Sequence, residues 1–178
     1  MGVISLLIWL LFQAAQAVQP PGMPEAPGVY LRQGDSGWNC LRPAVDSNAN
    51  ATGIQLFVDT GGYTDLGQSV TLSGSRASTR VPFPKPVFYV RAVGSAKDAA
   101  IVRLKQKKNS REYKTSFSNV TVQNKGGFRK EDLYKLTSQV FPDGSFSVSP
   151  ENDLGRGEYL LVLGNAVPTY DFGVDGGE

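Results

Sequence analysis

Short runs of alternating apolar and polar residues dominate the second half of the chain. Between residues 87 and 174 there are about seven such runs, at the spacing of roughly 8–12 residues that is typical of strands in a sandwich. The densest apolar run of this half is LGRGEYLLVL, residues 154–163. No run shows the 3.6-residue period of an amphipathic helix. The pattern therefore predicts an all-β protein with a β-sandwich over residues 85–175.

Weaker strand signals precede this region. Residues 28–33 and 38–43 alternate on either side of Gly34-Asp35-Ser36-Gly37, which predicts a β-hairpin. Prolines at positions 82, 84 and 86 block a central strand, so we expect a subdomain boundary there. Residues 28–84 are accordingly predicted to form a small N-terminal β-hairpin or β-sheet unit ahead of the sandwich.

The N-terminus is typical of a secretory signal peptide. A ten-residue apolar core at residues 3–12 is followed by Ala15-Gln16-Ala17, a signal-peptidase site of the A-x-A type. Residues 1–17 are therefore predicted to be a signal peptide, and residues 18–27, with four prolines, a stiff leader outside any core. We expect a periplasmic or secreted protein. Because no Lys or Arg precedes the apolar core, the alternative is a membrane anchor formed by an uncleaved segment.

The composition argues against several kinds of metal, cofactor and nucleic-acid sites. It has 178 residues, a net charge of +2, one cysteine and no histidine. The ordinary ligands of zinc, haem and iron–sulfur centres are therefore missing, and the near-neutral charge argues against nucleic-acid binding. We expect no cofactor, no metal and no catalysis. Cys40 lacks a partner for an internal disulfide; we expect a small buried side chain, with a thiol that pairs between chains as the alternative.

The entry to the 154–163 run has a recognisable spacing, Leu154-x-x-Gly157-x-Tyr159. It resembles the tyrosine corner of Greek-key sandwiches such as immunoglobulin-like and fibronectin type III domains. The resemblance implies that the Tyr159 hydroxyl bonds to the backbone upstream, that Gly157 permits the arch and that Leu154 fills the core. The chain is also similar to an exported bacterial protein family of unknown function that ends in a Gly-Glu-Tyr strand and a Tyr-Asp-Phe-Gly strand. These resemblances imply an immunoglobulin-like fold for residues 85–175 and no particular activity.

Two motifs with catalytic associations are better explained as turns. Gly34-Asp35-Ser36-Gly37 spells the tetrapeptide around the nucleophile of trypsin-like proteases, but that chemistry needs a base such as His, and the chain has none. Several carboxylates lie in the last third of the chain, where two would suffice for glycoside hydrolysis. Their spacing matches no metal loop, and Asp is an ordinary turn residue. They are Asp143, Glu151, Asp153, Glu158, Asp171 and Asp175.

One predicted hairpin is distinctly basic. In a strand, Arg103, Lys105 and Lys107 point to one face of the sheet. Val102 and Leu104 point to the other. One interpretation is a solvated face that protects an edge strand from aggregation. The other is a contact for an anionic partner such as an acidic glycan, a lipid headgroup or an acidic protein patch. The cations are Arg103, Lys105, Lys107, Lys108, Arg111 and Lys114.

Three classes of function remain open at this point. The leading hypothesis is a non-catalytic binding or interaction module of the cell envelope or extracellular space. It would recognise an envelope protein, an acidic glycan or a lipid headgroup through a strand edge or sandwich-end loops. The second is a small carboxylate-dependent glycan hydrolase, marked by two carboxyl groups about 5–10 Å apart in a cleft. The third is a structural subunit of an envelope assembly, marked by an exposed strand edge with few charges.

Overall fold

The computed structural model describes residues 22–34, 37–44, 55–58, 64–116, 128, 130–164 and 168–176. The predicted signal peptide and the first residues of the leader lie outside these ranges. Within them the chain forms strands and one 3-10 turn, Lys130–Asp132, and no α-helix, so the prediction of an all-β protein is confirmed. In chain order the strands are β1 (Gly28–Gln33), β2 (Gly37–Cys40), β3 (Gln55–Val58), β4 (Thr64–Ser73), β5 (Arg80–Val81), β6 (Phe88–Arg91), β7 (Ala100–Gln106), β8 (Ser110–Ser116), β9 (Leu133–Tyr134), β10 (Leu136–Val140), β11 (Phe146–Pro150), β12 (Gly157–Val162) and β13 (Tyr170–Val174).

These strands form two sheets. The first sheet has five strands in the order β10-β11-β6-β1-β2. The second has the order β3-β4-β8-β7-β12-β13-β5, with β9 paired to β7. Described neighbours are antiparallel, except for β5 and β13, which are parallel. Strands that follow each other along the chain either pair within one sheet, as β10 and β11 do, or cross to the other sheet, as β6 and β7 do.

Strands from both sides of the predicted boundary near residue 85 share these sheets. β1 pairs with β6 in the first sheet, and β4 pairs with β8 and β5 with β13 in the second. The N-terminal unit predicted over residues 28–84 therefore forms no sheet of its own. The prolines at positions 82, 84 and 86 instead occupy the crossing from β5 to β6, from the second sheet to the first. Proline is tolerated there because a crossing segment needs no ladder of N–H donors.

The main core lies between the two sheets. The first sheet contributes alternate residues of β1, β6 and β11, and the second contributes alternate residues of β7, β12 and β13. Only every second residue of a strand faces this core, because successive side chains point to opposite faces of the sheet. Phe88 and Phe172 meet across the layers with ring centroids 5.0 Å apart. The principal members are Val29, Leu31, Phe88, Val90, Ile101, Phe146, Val148, Tyr159, Leu161, Phe172 and Val174.

β12 is apolar on both of its faces. Tyr159 and Leu161 point into the main core. Leu160 and Val162 belong to a second cluster with Leu72, Val102, Leu104 and Phe128, which we call the outer cluster. Every residue of β12 after Gly157 is therefore buried. A central strand covered on both sides explains why the 154–163 run is apolar without interruption after its entry turn.

The outer face of the first sheet carries an aromatic cluster. Tyr89 is fully buried there, with ring centroids 6.3 Å from Tyr30, 5.7 Å from Trp38 and 6.1 Å from Phe141. Met23 packs against this cluster. The end of the Pro-rich leader therefore contacts the sheet, contrary to the expectation that the leader lies outside any core.

The turn into β12 has the hydrogen bond that its Leu-x-x-Gly-x-Tyr spacing implies. The Tyr159 hydroxyl donates to the carbonyl of Gly155, four residues upstream, at 2.7 Å. The Tyr159 ring stacks on Phe172 with centroids 5.6 Å apart, and Leu154 is fully buried. The structure gives Gly157 no special role, because its φ lies outside the left-handed region and an added Cβ would meet nothing closer than 3.5 Å.

Tyr159→Phe is expected to lower the free energy of unfolding by about 1 kcal/mol, because it removes the hydrogen bond to Gly155 and the net contribution of one such bond is about this size. Leu154→Ala leaves a cavity in the core and should cost about 2–5 kcal/mol. Gly157→Ala is the control and should change stability by less than about 0.5 kcal/mol. Urea denaturation measures all three. A Tyr159→Phe variant as stable as the parent would show that the corner bond contributes nothing.

Alkaline pH should destabilise the fold through its buried tyrosines. Burial is the main cause that raises the pKa of Tyr159 and of Tyr170 above the ordinary value. A tyrosine with a higher pKa in the folded state stabilises the fold below about pH 10 and loses that contribution as the pH rises, since the unfolded chain ionises first. Stability should therefore fall above about pH 10, by up to about 1.4 kcal/mol per pH unit for each tyrosine. Urea titrations measure the slope, and Tyr159→Phe should make it shallower; an unaltered slope would contradict this assignment.

Candidate functional site

The basic hairpin is built by β7 and β8. Arg103 and Lys105 of β7 are exposed and alternate with Val102 and Leu104, which are buried in the outer cluster. The cations and the apolar residues thus take opposite faces, as their alternation predicts. Arg103 and Lys105 share their face with Ile101, which belongs to the main core, and the two cations are exposed.

Arg111 of β8 faces the protein instead of a partner. It is 5% exposed and forms an ion pair with Asp171 of β13. Its guanidinium also donates to the carbonyls of Ser73 and Gly74 at 2.8 and 3.0 Å. These contacts hold the end of β4 and the start of β8 to β13. Arg111 is therefore removed from the candidate contact residues, since its charge is buried and already paired.

The remaining cations form a reduced basic surface. Lys107 is paired with Glu112 across the hairpin, and the side chain of Lys114 lies outside the described part of the chain. Arg103, Lys105 and Lys108 are exposed. Exposed charges interact only over about 8 Å at physiological salt, so these three form a weaker contact than the six cations of the sequence suggest.

A second charge cluster lies at the start of β12. Glu158 is 3% exposed, and its carboxylate accepts hydrogen bonds from Nη1 of Arg80 at 2.5 Å and from the backbone N–H of Ala77 at 2.7 Å. Arg80 also pairs with Asp175, whose Oδ2 accepts from Nε at 3.1 Å. This hydrogen bond lowers the pKa of the Asp175 carboxyl. Because a buried carboxylate needs a counter-ion, the cluster ties β5 to β12 and β13.

Gly173 of β13 makes room for this cluster. The Arg80 guanidinium lies directly over it, so that an added Cβ would be 1.6 Å from Nη1 and 2.2 Å from Cζ. Gly173 is also in register with Glu158 on the neighbouring strand. Any side chain at position 173 would therefore displace the guanidinium from Glu158. The glycine in the Tyr-Asp-Phe-Gly stretch is thus required by a close approach, which the sequence alone does not reveal.

The carboxylates of the last third do not gather as free acids or bases. Glu158 and Asp175 approach each other only through Arg80, which forms an ion pair with each of them. Asp143 pairs with Arg91 at 2.9 Å, and Asp171 pairs with Arg111 as described above. Glu151 and Asp153 are exposed. Within the described ranges, no group of three or more His, Cys, Asp or Glu side chains is placed to hold a metal ion.

A small pocket opens where the two sheets meet. Its volume is about 170 Å³, and residues 31–34 and 80–83 line it. Ligand sites usually have volumes of about 300–1,000 Å³. The pocket is therefore too small to enclose a typical small molecule, and Arg80 on its wall is already engaged by Glu158 and Asp175.

One edge of the first sheet is β2, which exposes Cys40. The expectation of a buried thiol is wrong, because Cys40 is exposed on this strand. Trp38 of the same strand is half-buried against Tyr89.

The opposite edge of the first sheet is β10, with the sequence LTSQV. It contains no charged residue, and residues 137–140 are exposed. Val140 is 60% exposed and is the one large hydrophobic residue with such exposure in the described part of the chain. No described strand pairs with the outer side of β10. Such an edge is a surface that another strand can extend, although the sequence analysis did not single it out.

No family model, curated protein or solved structure matches the chain. Among the residues that the structure describes, no helix is long and apolar enough to cross a membrane. The function has to be inferred from the geometry of this chain alone.

Arg80→Met is expected to lower the free energy of unfolding by about 3 kcal/mol, because it leaves the Glu158 carboxylate buried without a counter-ion. Gly173→Ala should cost nearly as much, since its Cβ displaces the same guanidinium. In the double variant the second change should add less than about 1 kcal/mol, because the space over position 173 is already vacant. Urea denaturation of the single and double variants gives the coupling energy.

Strictly additive losses would contradict this account of Gly173. The matched control is Gly155→Ala, whose Cβ would meet nothing within 4 Å. Gly155→Ala should not change the free energy of unfolding, either in the parent or in the Arg80→Met variant.

Proposed function

We propose that the protein is a non-catalytic interaction module of the cell envelope or extracellular space, and that it binds its partner by strand addition at β10. The observation that carries this proposal is the open, uncharged edge Leu136–Val140, at which Val140 is 60% exposed. In strand addition, backbone hydrogen bonds supply affinity and alternate side chains supply specificity. The proposal therefore requires free backbone groups along β10.

Two hydrogen bonds at the ends of β10 identify the backbone groups that point inward. The N–H of Glu151 donates to the carbonyl of Lys135 at 2.9 Å, and the N–H of Phe141 donates to the carbonyl of Ser145 at 2.8 Å. Both bonds fall in the same register as the β10–β11 ladder. Inward and outward positions alternate in an antiparallel pair.

The outward positions are therefore Leu136, Ser138 and Val140. Each turns its N–H and its C=O toward the open edge. These groups are in reach of a partner strand because residues 137–140 are exposed on both faces of the sheet. An extended segment placed beside β10 would satisfy them with the spacing of an ordinary ladder.

We also propose that the sandwich is immunoglobulin-like. The order β1-β6-β11-β10 corresponds to strands A-B-E-D of such domains, and β7-β12-β13 to strands C-F-G. The hydrogen bond from Tyr159 to Gly155 lies at the start of β12, the strand that would be F, where the tyrosine corner belongs. On this assignment β10 is the edge strand D.

The signal-peptide pattern of residues 1–17 supports export, so the partner is expected in the periplasm or outside the cell. An uncleaved N-terminal segment would instead hold the module at the membrane. Arg103, Lys105 and Lys108 are available as a second contact for acidic groups of that partner, such as an acidic glycan or a lipid headgroup.

The same edge favours a second candidate, a structural subunit of an envelope assembly. In that case, strand addition would be repeated from copy to copy, and the product would be a polymer. An interaction module forms a complex of fixed stoichiometry instead.

A soluble extended peptide tests whether β10 accepts a strand. The probe is a blocked Thr-Val-Thr-Val-Thr peptide flanked by lysines, since Thr and Val favour the extended conformation. Binding at concentrations on the order of 1 mM is expected, because a short strand buries an area typical of weak complexes. The amide NMR signals of Leu136, Ser138 and Val140 should shift more than those of Thr137 and Gln139.

The control peptide carries N-methyl groups on its five central amides, which removes the donors and keeps the side chains. It should not shift these signals. Unchanged β10 signals with the first peptide at about 5 mM, or equal binding of both peptides, would refute strand addition as the mode of recognition.

A further inference from the structure

We infer that the strand received by β10 is the β10 strand of a second copy, so that the protein forms a twofold-symmetric dimer through the first sheet. This inference rests on the proposed function, because it uses the same edge and specifies the partner. It is carried by the self-complementarity of Leu136–Val140, which appears in the hydrogen-bonding register, in the side chains and in the charge of the strand.

The hydrogen-bonding register fits a twofold axis through Ser138. In an antiparallel pair centred on this residue, Ser138 lies opposite Ser138 of the second copy, and Leu136 lies opposite Val140. Every outward-facing residue is then opposite another outward-facing residue, so their N–H and C=O groups bond in pairs, about six bonds in total. A register shifted by two residues in either direction leaves one of the three positions without a partner from the other β10.

The side chains fit the same register. Leu136, Ser138 and Val140 share one face, since alternate residues do, and Leu136 packs against the main core. In the dimer, the exposed Val140 of each copy lies beside Leu136 of the other on this face. A cross-strand apolar pair of this kind is stabilising. The pairing thus covers the large hydrophobic residue that the isolated chain leaves 60% exposed.

Charge and space allow this arrangement. β10 contains no charged side chain, so the axis brings no like charges together. The preceding strand β9 is paired with β7 in the second sheet, which ends the available edge at residue 136. Five residues from each copy form an interface below about 1,200 Å², the size of weak and transient complexes. The dimer should therefore appear only at high protein concentration.

Charge-swap variants at Ser138 test the inference, because the axis places this residue against itself. Sedimentation velocity of the chain as recovered from expressing cells, between about 10 µM and 1 mM, should show a monomer–dimer equilibrium. Ser138→Lys and Ser138→Asp should each weaken dimerisation by at least about tenfold, because like charges then face each other. An equimolar mixture of the two variants should dimerise at least as well as the parent.

Ser78→Lys is the matched control, since Ser78 is exposed and precedes β5 in the second sheet. It should dimerise like the parent. Circular dichroism and thermal unfolding verify that each variant is folded.

Failure of the mixed variants to associate would overturn the twofold pairing. A parent that remains monomeric at about 1 mM, while the extended peptide still binds, would overturn this inference and leave the proposed function standing. If neither the second copy nor the peptide binds, both are wrong.

Discussion

The rest of the structure depends on the burial of β12 on both faces. Tyr159 and Leu161 require the first sheet opposite them, and Leu160 and Val162 require the outer cluster. The flanking strands β7 and β13 complete its backbone hydrogen bonds. A strand placed in this way buries every residue after Gly157, including the acid Glu158 near its start. That acid in turn requires Arg80, whose guanidinium lies over Gly173.

The sequence predicts those structural features that depend on the pattern of apolar residues alone. The 154–163 run predicted a strand of the sandwich, and the alternation around Val102 and Leu104 predicted the face that carries the cations. The role of Arg111 was not predictable in this way, because periodicity gives the face of a side chain but not the distant acid, Asp171, that binds it. The three prolines at 82–86 predict a boundary that the fold does not have, since a crossing between two sheets and a linker between two domains have the same composition.

The candidate site was the least predictable part for a related physical reason. The absence of charge in Leu136–Val140 is visible in the sequence, but the position of this strand at an edge is a property of the sheet order. Two other edges differ from it, since β5 has two residues and β2 carries the half-buried Trp38, whereas the edge strand β3, QLFV, is likewise uncharged. Lys135 and Pro142 flank β10, which limits the edge to five residues and restrains indefinite addition of strands. A short open edge of this kind suits a discrete partner.

If β10 receives a partner strand, its outward-facing amides must be open to solvent until that strand covers them. Residue-resolved amide hydrogen exchange at about 10 µM and at about 1 mM protein tests it most directly. Ser138 and Val140 should exchange rapidly in the dilute sample and more slowly in the concentrated one, while Thr137 and Gln139 are protected in both. Slow exchange of Ser138 and Val140 in the dilute sample, or equally rapid exchange of both amides in the two samples, would contradict it.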